Sequence, residues 1–255
     1  MALVLLANTK GGSGKTTAAL VLGGEFLSHG ARVVLLEGDP NRPLVTWAQA
    51  RGVPVIETSR VRAKTAEEVT AKLDEAAKPG DHRLVVVHDD HQEGVFEWIE
   101  GSAAWAHFVI ADPEGSPNEW LTDVASQADL VVIPFAPSAL DAKQVSRTVQ
   151  VLNRVAKRSG REVNYRILLT RANPIMTRDE REIRKSLEQN GLPLLATSLR
   201  ERPAYRGMFK LDAMISELSS ESVNGVDAAR RNAADFAREI LDTLKAGVAP
   251  QTEAA

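Results

Sequence analysis

Residues 8 to 17 read Asn8-Thr9-Lys10-Gly11-Gly12-Ser13-Gly14-Lys15-Thr16-Thr17. Glycines with little side-chain bulk around them let successive N–H groups converge on phosphate oxygens, and a lysine and a hydroxyl at the head of a helix complete such a cradle. Gly11, Gly12, Ser13 and Gly14 supply the backbone, Lys15 the cation, Thr16 a hydroxyl for Mg²⁺, and Thr17 closes the stretch. The chemistry is that of a nucleoside triphosphate held by its phosphates. The flanks agree: Leu3-Val4-Leu5-Leu6-Ala7 is an apolar run of buried-strand length, and Thr17 to Leu27 carries Ala, Leu and Val at helical spacing. A loop between strand and helix points the helix N-terminus at the phosphates.

Two further strand ends deliver carboxylates. Val33-Val34-Leu35-Leu36 runs into Glu37-Gly38-Asp39-Pro40-Asn41, placing Glu37 and Asp39 two residues apart and so on one side of a strand. His107-Phe108-Val109-Ile110-Ala111 runs into Asp112-Pro113-Glu114-Gly115. An apolar strand ending in Asp is the arrangement that holds Mg²⁺ in phosphoryl transfer, where positioning and charge stabilisation carry the reaction. Asp89-Asp90 after Leu84-Val85-Val86-Val87-His88 is the rival, with Asp90 read as the N-cap of a helix beginning near Gln92.

These residues need a scaffold, and the chain supplies apolar runs alternating with amphipathic stretches. Strands are expected at 2–7, 32–37, 53–57, 83–88, 107–112, 129–133, 164–170 and 193–196, separated mostly by segments of helical length. That alternation predicts an α/β fold, a mostly parallel sheet with helices on both faces and ligands at the carboxyl ends of the strands. Gly30, Pro79-Gly80 and Asn190-Gly191 mark helix ends. One domain is expected over residues 1–245, with a disordered tail over 246–255.

The 255 residues are 44% hydrophobic and 25% charged, enough to bury a large core. With no Cys there is neither a disulfide framework nor a thiolate metal site. The first apolar run is too short for a signal-peptide core, and no stretch approaches the roughly 20 apolar residues of a membrane span, so a cytoplasmic protein is expected. The net charge of −3 is unevenly spread: Lys143 to Lys185 holds twelve Lys or Arg against four acids, a local +8. Such asymmetry is an electrostatic footprint for a polyanion.

The loop departs from the general Gly-x-x-x-x-Gly-Lys-Thr pattern, with Thr9 at the first Gly position and Lys10 opening the glycines. In this it resembles the deviant Lys-Gly-Gly-x-Gly-Lys-Thr loop of the ParA/MinD family of P-loop NTPases. The resemblance implies that Lys10 reaches in trans to the partner's phosphates in an ATP-sandwich homodimer, while Lys15 acts in cis. It also implies that Asp39 orients the attacking water and helps hold the Mg²⁺ shell, with Asp112 on the metal and Arg171 and Pro203 beside the adenine. Asp39 to Trp47, Glu201-Arg202-x-Ala204-Tyr205-x-x-Met208, Arg230-Arg231-Asn232 and Ile133 to Asp141 resemble plasmid-partition ATPases and the ATPase of T-DNA transfer systems. A stretch from about Val53 to His82 has no counterpart in shorter relatives.

The expected function is therefore a Mg²⁺-dependent ATPase that dimerises on ATP and binds DNA without sequence preference, positioning a plasmid, chromosome region or conjugative intermediate. A centromere-binding or relaxosome-type partner protein goes with that role. DNA contacts are expected from Arg178, Arg181, Arg184 and Lys185 at helical spacing, and from Arg206, Lys210, Arg230 and Arg231. A protein-cargo positioner and a P-loop metabolic enzyme are the alternatives. A metal-cluster carrier lacks its cysteines. Membrane positioning lacks a basic terminal helix, since the charges of 227–244 are mixed in sign.

Overall fold

The computed structural model describes residues 1–89 and 94–248, with the backbone alone for 139–143 and 248. Eight strands, β1 (Ala2–Leu6), β2 (Val33–Gly38), β3 (Val55–Glu57), β4 (Leu84–His88), β5 (Phe108–Pro113), β6 (Leu130–Phe135), β7 (Tyr165–Ala172) and β8 (Leu199–Arg200), form one sheet in the order β3-β4-β2-β5-β1-β6-β7-β8. Every pairing among the described residues is parallel. Parallel strands need crossovers, and these are the helices α1 (Lys15–Ser28), α2 (Pro43–Ala50), α3 (Ala66–Ala77), α4 (Val95–Trp105), α5 (Glu119–Gln127), α6 (Ala139–Ser159), α7 (Arg178–Gln189), α8 (Pro203–Lys210) and α9 (Val226–Val248).

Alternate residues of each strand serve two cores, which is why the strands read as unbroken apolar runs. Val4 and Leu6 face α1, α2, α8 and α9, whereas Leu3 and Leu5 face α3 to α7. The carboxyl ends of β1, β2, β5 and β7 lie along one edge, so the glycine loop, Asp39, Asp112 and Arg171 all arrive there.

Two expectations change. The strand expected at 193–196 reduces to a single bridge, Ile167 to Leu194, and the pairing strand lies later at 199–200. A bulge between Thr170 and Ala172 sets that register, with Arg171 at a φ of 50°. Residues 53–82 build edge strand β3, within the strand expected at 53–57, helix α3 and a 3₁₀ turn at Lys78–Gly80. Helix α9 runs to Val248, past the boundary expected at 245, and residues 249–255 lie outside the described residues. The Asp90 cap also lies outside them, while α4 starts at Val95 behind Gly94, whose φ is 87°.

Helices α3 and α4 meet at Gly101. A Cβ there would sit 2.4 Å from the Val69 Cβ and 2.5 Å from the Ala66 carbonyl oxygen, and the Thr70 hydroxyl donates to the Gly101 carbonyl at 2.8 Å. Backbone does not yield as a side-chain tip does. Gly101→Ala should therefore destabilise the fold by about 1–3 kcal/mol, read as a lower urea midpoint, with ATP affinity unchanged because the contact is remote from the phosphate loop.

Candidate functional site

The glycine loop is held from three sides. Asn8, buried, donates from Nδ2 to the Pro134 carbonyl at 2.7 Å and accepts the Lys10 N–H at 2.9 Å. The Thr170 hydroxyl of β7 donates to the Ser13 carbonyl at 2.7 Å, and a Cβ on Gly14 would meet Thr170 at 3.2 Å. Gly115, following Asp112, presses on the loop from β5: a Cβ there would lie 2.6 Å from the Gly11 nitrogen and 2.9 Å from the carbonyl carbon of Lys10. Gly12 and Gly14 take φ of 73° and 93°, which only glycine adopts at no steric cost. With its carbonyl fixed outward, the turn leaves its N–H groups for a ligand.

Lys15 opens α1 and is buried. Burial lowers its pKa, and the charges of Asp112, Asp39 and Glu114 act against that. Asp112 is fully buried; burial pushes it up to about 7, against the Thr16 hydroxyl and the Lys15 ammonium. Neither Asp112 oxygen has a hydrogen bond of full geometry, and the Ser13 hydroxyl is buried and unpartnered. A dry carboxylate beside a hydroxyl and a lysine is costly unless a cation arrives. The residues therefore fit Mg²⁺ bound with a triphosphate, Thr16 and Asp112 holding the metal directly or through water. Among the described residues no cluster of three or more His, Cys, Asp or Glu could hold a metal alone, as suits an ion whose remaining ligands are phosphate and water.

Asp39 is half-buried, its Oδ1 accepting both the Asn41 N–H at 2.8 Å and the Asn41 side-chain amide at 2.9 Å. Glu37 does something else. It is buried completely and accepts the Leu44 and Val45 N–H groups at 2.7 and 3.0 Å, capping α2 from the neighbouring strand; burial pushes it up to about 8. It fixes the turn that carries Asp39. Asp89, the rival, is consumed by structure, accepting from the Thr58 hydroxyl at 2.9 Å and the Trp120 indole at 2.8 Å.

Beyond Gly14 and Thr17 a cleft of about 460 Å³ opens between β7, β8 and α8, lined by Thr170, Arg171, Tyr205, Arg206 and Phe209 among others. Its size and place suit the base and ribose of a nucleotide. Arg171 is one of its lining residues. Pro203 begins α8 and is exposed, outside the lining. Arg206, expected on DNA, lines this cleft and pairs with Glu201.

Two other expected DNA contacts are struts. Arg184 is largely covered, bonded to Glu180 at 3.2 Å and to the Ser198 hydroxyl. Arg230 donates to the Ile215, Ser216 and Leu218 carbonyls, tying α9 to the preceding loop. Arg178 is exposed but paired with Glu182 at 2.8 Å, and Arg181, Lys185, Lys210 and Arg231 are exposed. Glu180 was missed altogether: fully buried, it lies between Arg184 and Arg200, the latter at 3.6 Å, and docks a helix whose only other buried residue is Leu187. In sequence it is one more acid in a charged helix.

Residues 4–212 match the family described as the CobQ/CobB/MinD/ParA nucleotide binding domain. The chain belongs to this family, and it is an ATPase. It is 32% identical over 245 residues to Protein ParA of Rhizobium radiobacter, covering 96% of this chain and 98% of that one. It is 26% identical over 242 residues to the maintenance of carboxysome distribution protein A of Halothiobacillus neapolitanus, covering 94% of each. Its fold superposes on the MinD cell division protein of Aquifex aeolicus with a TM-score of 0.69 at 17% identity, covering 95% of this chain and 98% of that one.

Asp112 sits above its unfolded-state value, so protonation favours the nucleotide-free fold. That contribution is full below about pH 4 and is lost as pH rises through about 7. The melting temperature of nucleotide-free protein should fall between about pH 4 and 7, and Asp112→Asn should flatten the fall. Calorimetry across that range decides it; an equally steep fall in the variant would remove Asp112 as the cause.

Proposed function

We propose that the chain is a ParA-like positioning ATPase: Mg²⁺-ATP brings two copies together, the dimer holds DNA without regard to sequence, and hydrolysis releases both. The observation that carries the reading is the second lysine, Lys10, on a phosphate loop already complete with Lys15. A cradle needs one cation to offset β- and γ-phosphate charge; a second at the mouth is explained by phosphates on a facing copy. Linkage supplies the cycle, because a ligand that bridges two subunits favours the dimer by its own binding energy and ceases to when cleaved. In the reaction, Lys15 and the loop N–H groups hold the phosphates and Asp39 orients water toward the γ-phosphorus. Mg²⁺ at Thr16 and Asp112 would neutralise the charge shared by the β- and γ-phosphates.

The carboxysome relative supports a second reading, in which the same cycle positions a protein cargo. Both readings share the dimer. They part at DNA, and the local +8 favours the first. The partner would be a DNA-bound adaptor such as a centromere-binding or relaxosome-type protein, and the place of action the cytoplasm, on the nucleoid when ATP is bound. Among the described residues no helix is long and apolar enough to cross a membrane.

Lys10→Ala should bind ATP with near wild-type affinity yet remain monomeric by light scattering with ATP and Mg²⁺. A variant that dimerises normally returns Lys10 to an ordinary surface lysine.

Asp39→Ala should bind ATP and dimerise but turn over at least about a hundredfold more slowly, the scale of a lost water-positioning carboxylate. Its dimer should persist for as long as ATP is present. Unchanged phosphate release would move the role to Asp112.

A further inference from the structure

Helix α6 carries the strongest unbalanced charge on the molecule. No acid occurs from residue 142 to 161, while Arg147, Arg154, Lys157 and Arg158 are all exposed on the helix. Among the described residues none of the four makes an ion pair within 4 Å. The acid felt from a neighbouring element is Asp123 of α5, which Arg158 influences; Arg161, past the helix end, is tied to Asp129 at 3.9 Å and to the Ser126 and Ala128 carbonyls. Helix α7, where the sequence put the DNA contacts, is balanced: four Lys or Arg meet four acids within Arg178 to Gln189. The local +8 therefore resides chiefly on α6.

A solvated helix face ordinarily alternates signs at three- and four-residue spacing, and like charges so placed cost about 0.2–0.5 kcal/mol per pair. Arg154 with Lys157 and Arg154 with Arg158 are two such pairs. The helix C-terminus accounts for cations in the last turn, Lys157 and Arg158, through its negative dipole end. It does not account for Arg147 and Arg154, one to three turns earlier. We infer that the outer face of α6 is the DNA-binding surface, and that it docks the phosphate backbone of duplex DNA.

The chemistry of the face selects that occupant. Between the cations stand Ser146, Gln150 and Asn153, all exposed, and residues of these types are the ones that meet phosphate and sugar. Among the described residues the large exposed hydrophobics are Met1, Phe96, Ile175, Met176 and Leu211, none on α6, so the described face lacks the apolar centre that a protein partner would need. From Arg147 to Arg158 the rise is about 16 Å, along which duplex DNA presents about ten phosphates. The helix starts at the phosphate-loop edge and runs back to the opposite one, and the Thr9 hydroxyl donates to Gln144 of its first turns at 3.4 Å. A hydrogen bond thus links the nucleotide loop to the first turns of the helix that carries the basic face.

This inference rests on the DNA-holding reading above, and one experiment separates the two. DNA retardation with ATP and Mg²⁺ is measured across salt for wild type, for Arg147→Gln/Arg154→Gln/Arg158→Gln, and for Arg178→Gln/Arg181→Gln/Lys185→Gln. The slope of log affinity against log salt should fall by about 0.9 for each α6 cation removed per engaged subunit, and by much less for the α7 variant. The α6 variant should keep its DNA-free ATP turnover and melt no lower than wild type, because removing like-charge pairs does not loosen a helix. If wild type binds DNA and the α6 variant keeps its slope, α6 is not the surface and the positioning reading survives. If wild type ignores DNA at every salt concentration, the DNA-holding reading fails and takes this inference with it.

Discussion

A lysine ammonium taken out of water at the N-terminus of a helix is the constraint on which the rest of the site depends. Lys15 is 6% exposed, and the helix dipole at its position is also positive, so burial and dipole both act against its charge. Asp112, Asp39 and Glu114 answer it, Asp112 and Glu114 from the end of β5 and the turn beyond it, Asp39 from the turn after β2. Burial, with a smaller push from Asp39, pushes Asp112 up to about 7 against the Thr16 hydroxyl and the Lys15 ammonium, so that it sits near neutral pH rather than fully ionised. A metal cation bound with phosphate reverses that shift, satisfying the carboxylates while the lysine meets the phosphates. Binding and charge balance are then the same event, which is how a loop of small residues can hold a highly charged ligand.

The same economy explains the closeness of the packing around the loop. Gly115 on Gly11, Gly14 under Thr170 and Gly38 against the Trp120 ring are three places where a methyl group would collide. At Gly38 the added Cβ would lie 2.8 Å from the indole, whose N–H is itself anchored on Asp89. Tight backbone contact fixes the loop's donors before the ligand arrives, which is the condition for electrostatic stabilisation without reorganisation. Glu114 belongs to this layer: Ser116 and Asn118 both donate to its Oε1, the latter at 3.2 Å, so the turn over the loop is itself pinned.

Much of this was legible in the chain because it is local. The apolar runs that predicted seven of the eight strands are continuous, and the phosphate loop and both acidic strand ends are contiguous motifs. Where the reading failed, the cause was a partner distant in sequence. Strand β8 has only two residues, and its place is dictated by the bulge at Arg171, not by any apolar run of its own. Glu37 shares its strand end with Asp39, and its use is invisible in sequence: the Leu44 and Val45 amides claim both its oxygens. Asp89 and Asp112 each end an apolar strand, and the sequence favours Asp112 by the spacing of the strand and loop that follow. Thr58 and Trp120, each thirty-one residues from Asp89, are what occupy Asp89.

Arginine shows the limit most clearly, because its charge is visible in sequence and its use is not. Arg184 and Arg200 flank a buried glutamate, Arg230 gathers carbonyls at the end of a loop, and Arg206 turns into the nucleotide cleft. A guanidinium offers five donors in a fixed fork, so a protein can spend it on structure as readily as on a ligand. Counting charge over a segment adds these uses together. Subtracting the arginines that the fold has already engaged leaves the row on α6, and what marks it is the lack of any acid at helical spacing to share the load. A surface that accepts that repulsion in the free protein is relieved of it only when an anion is supplied from outside.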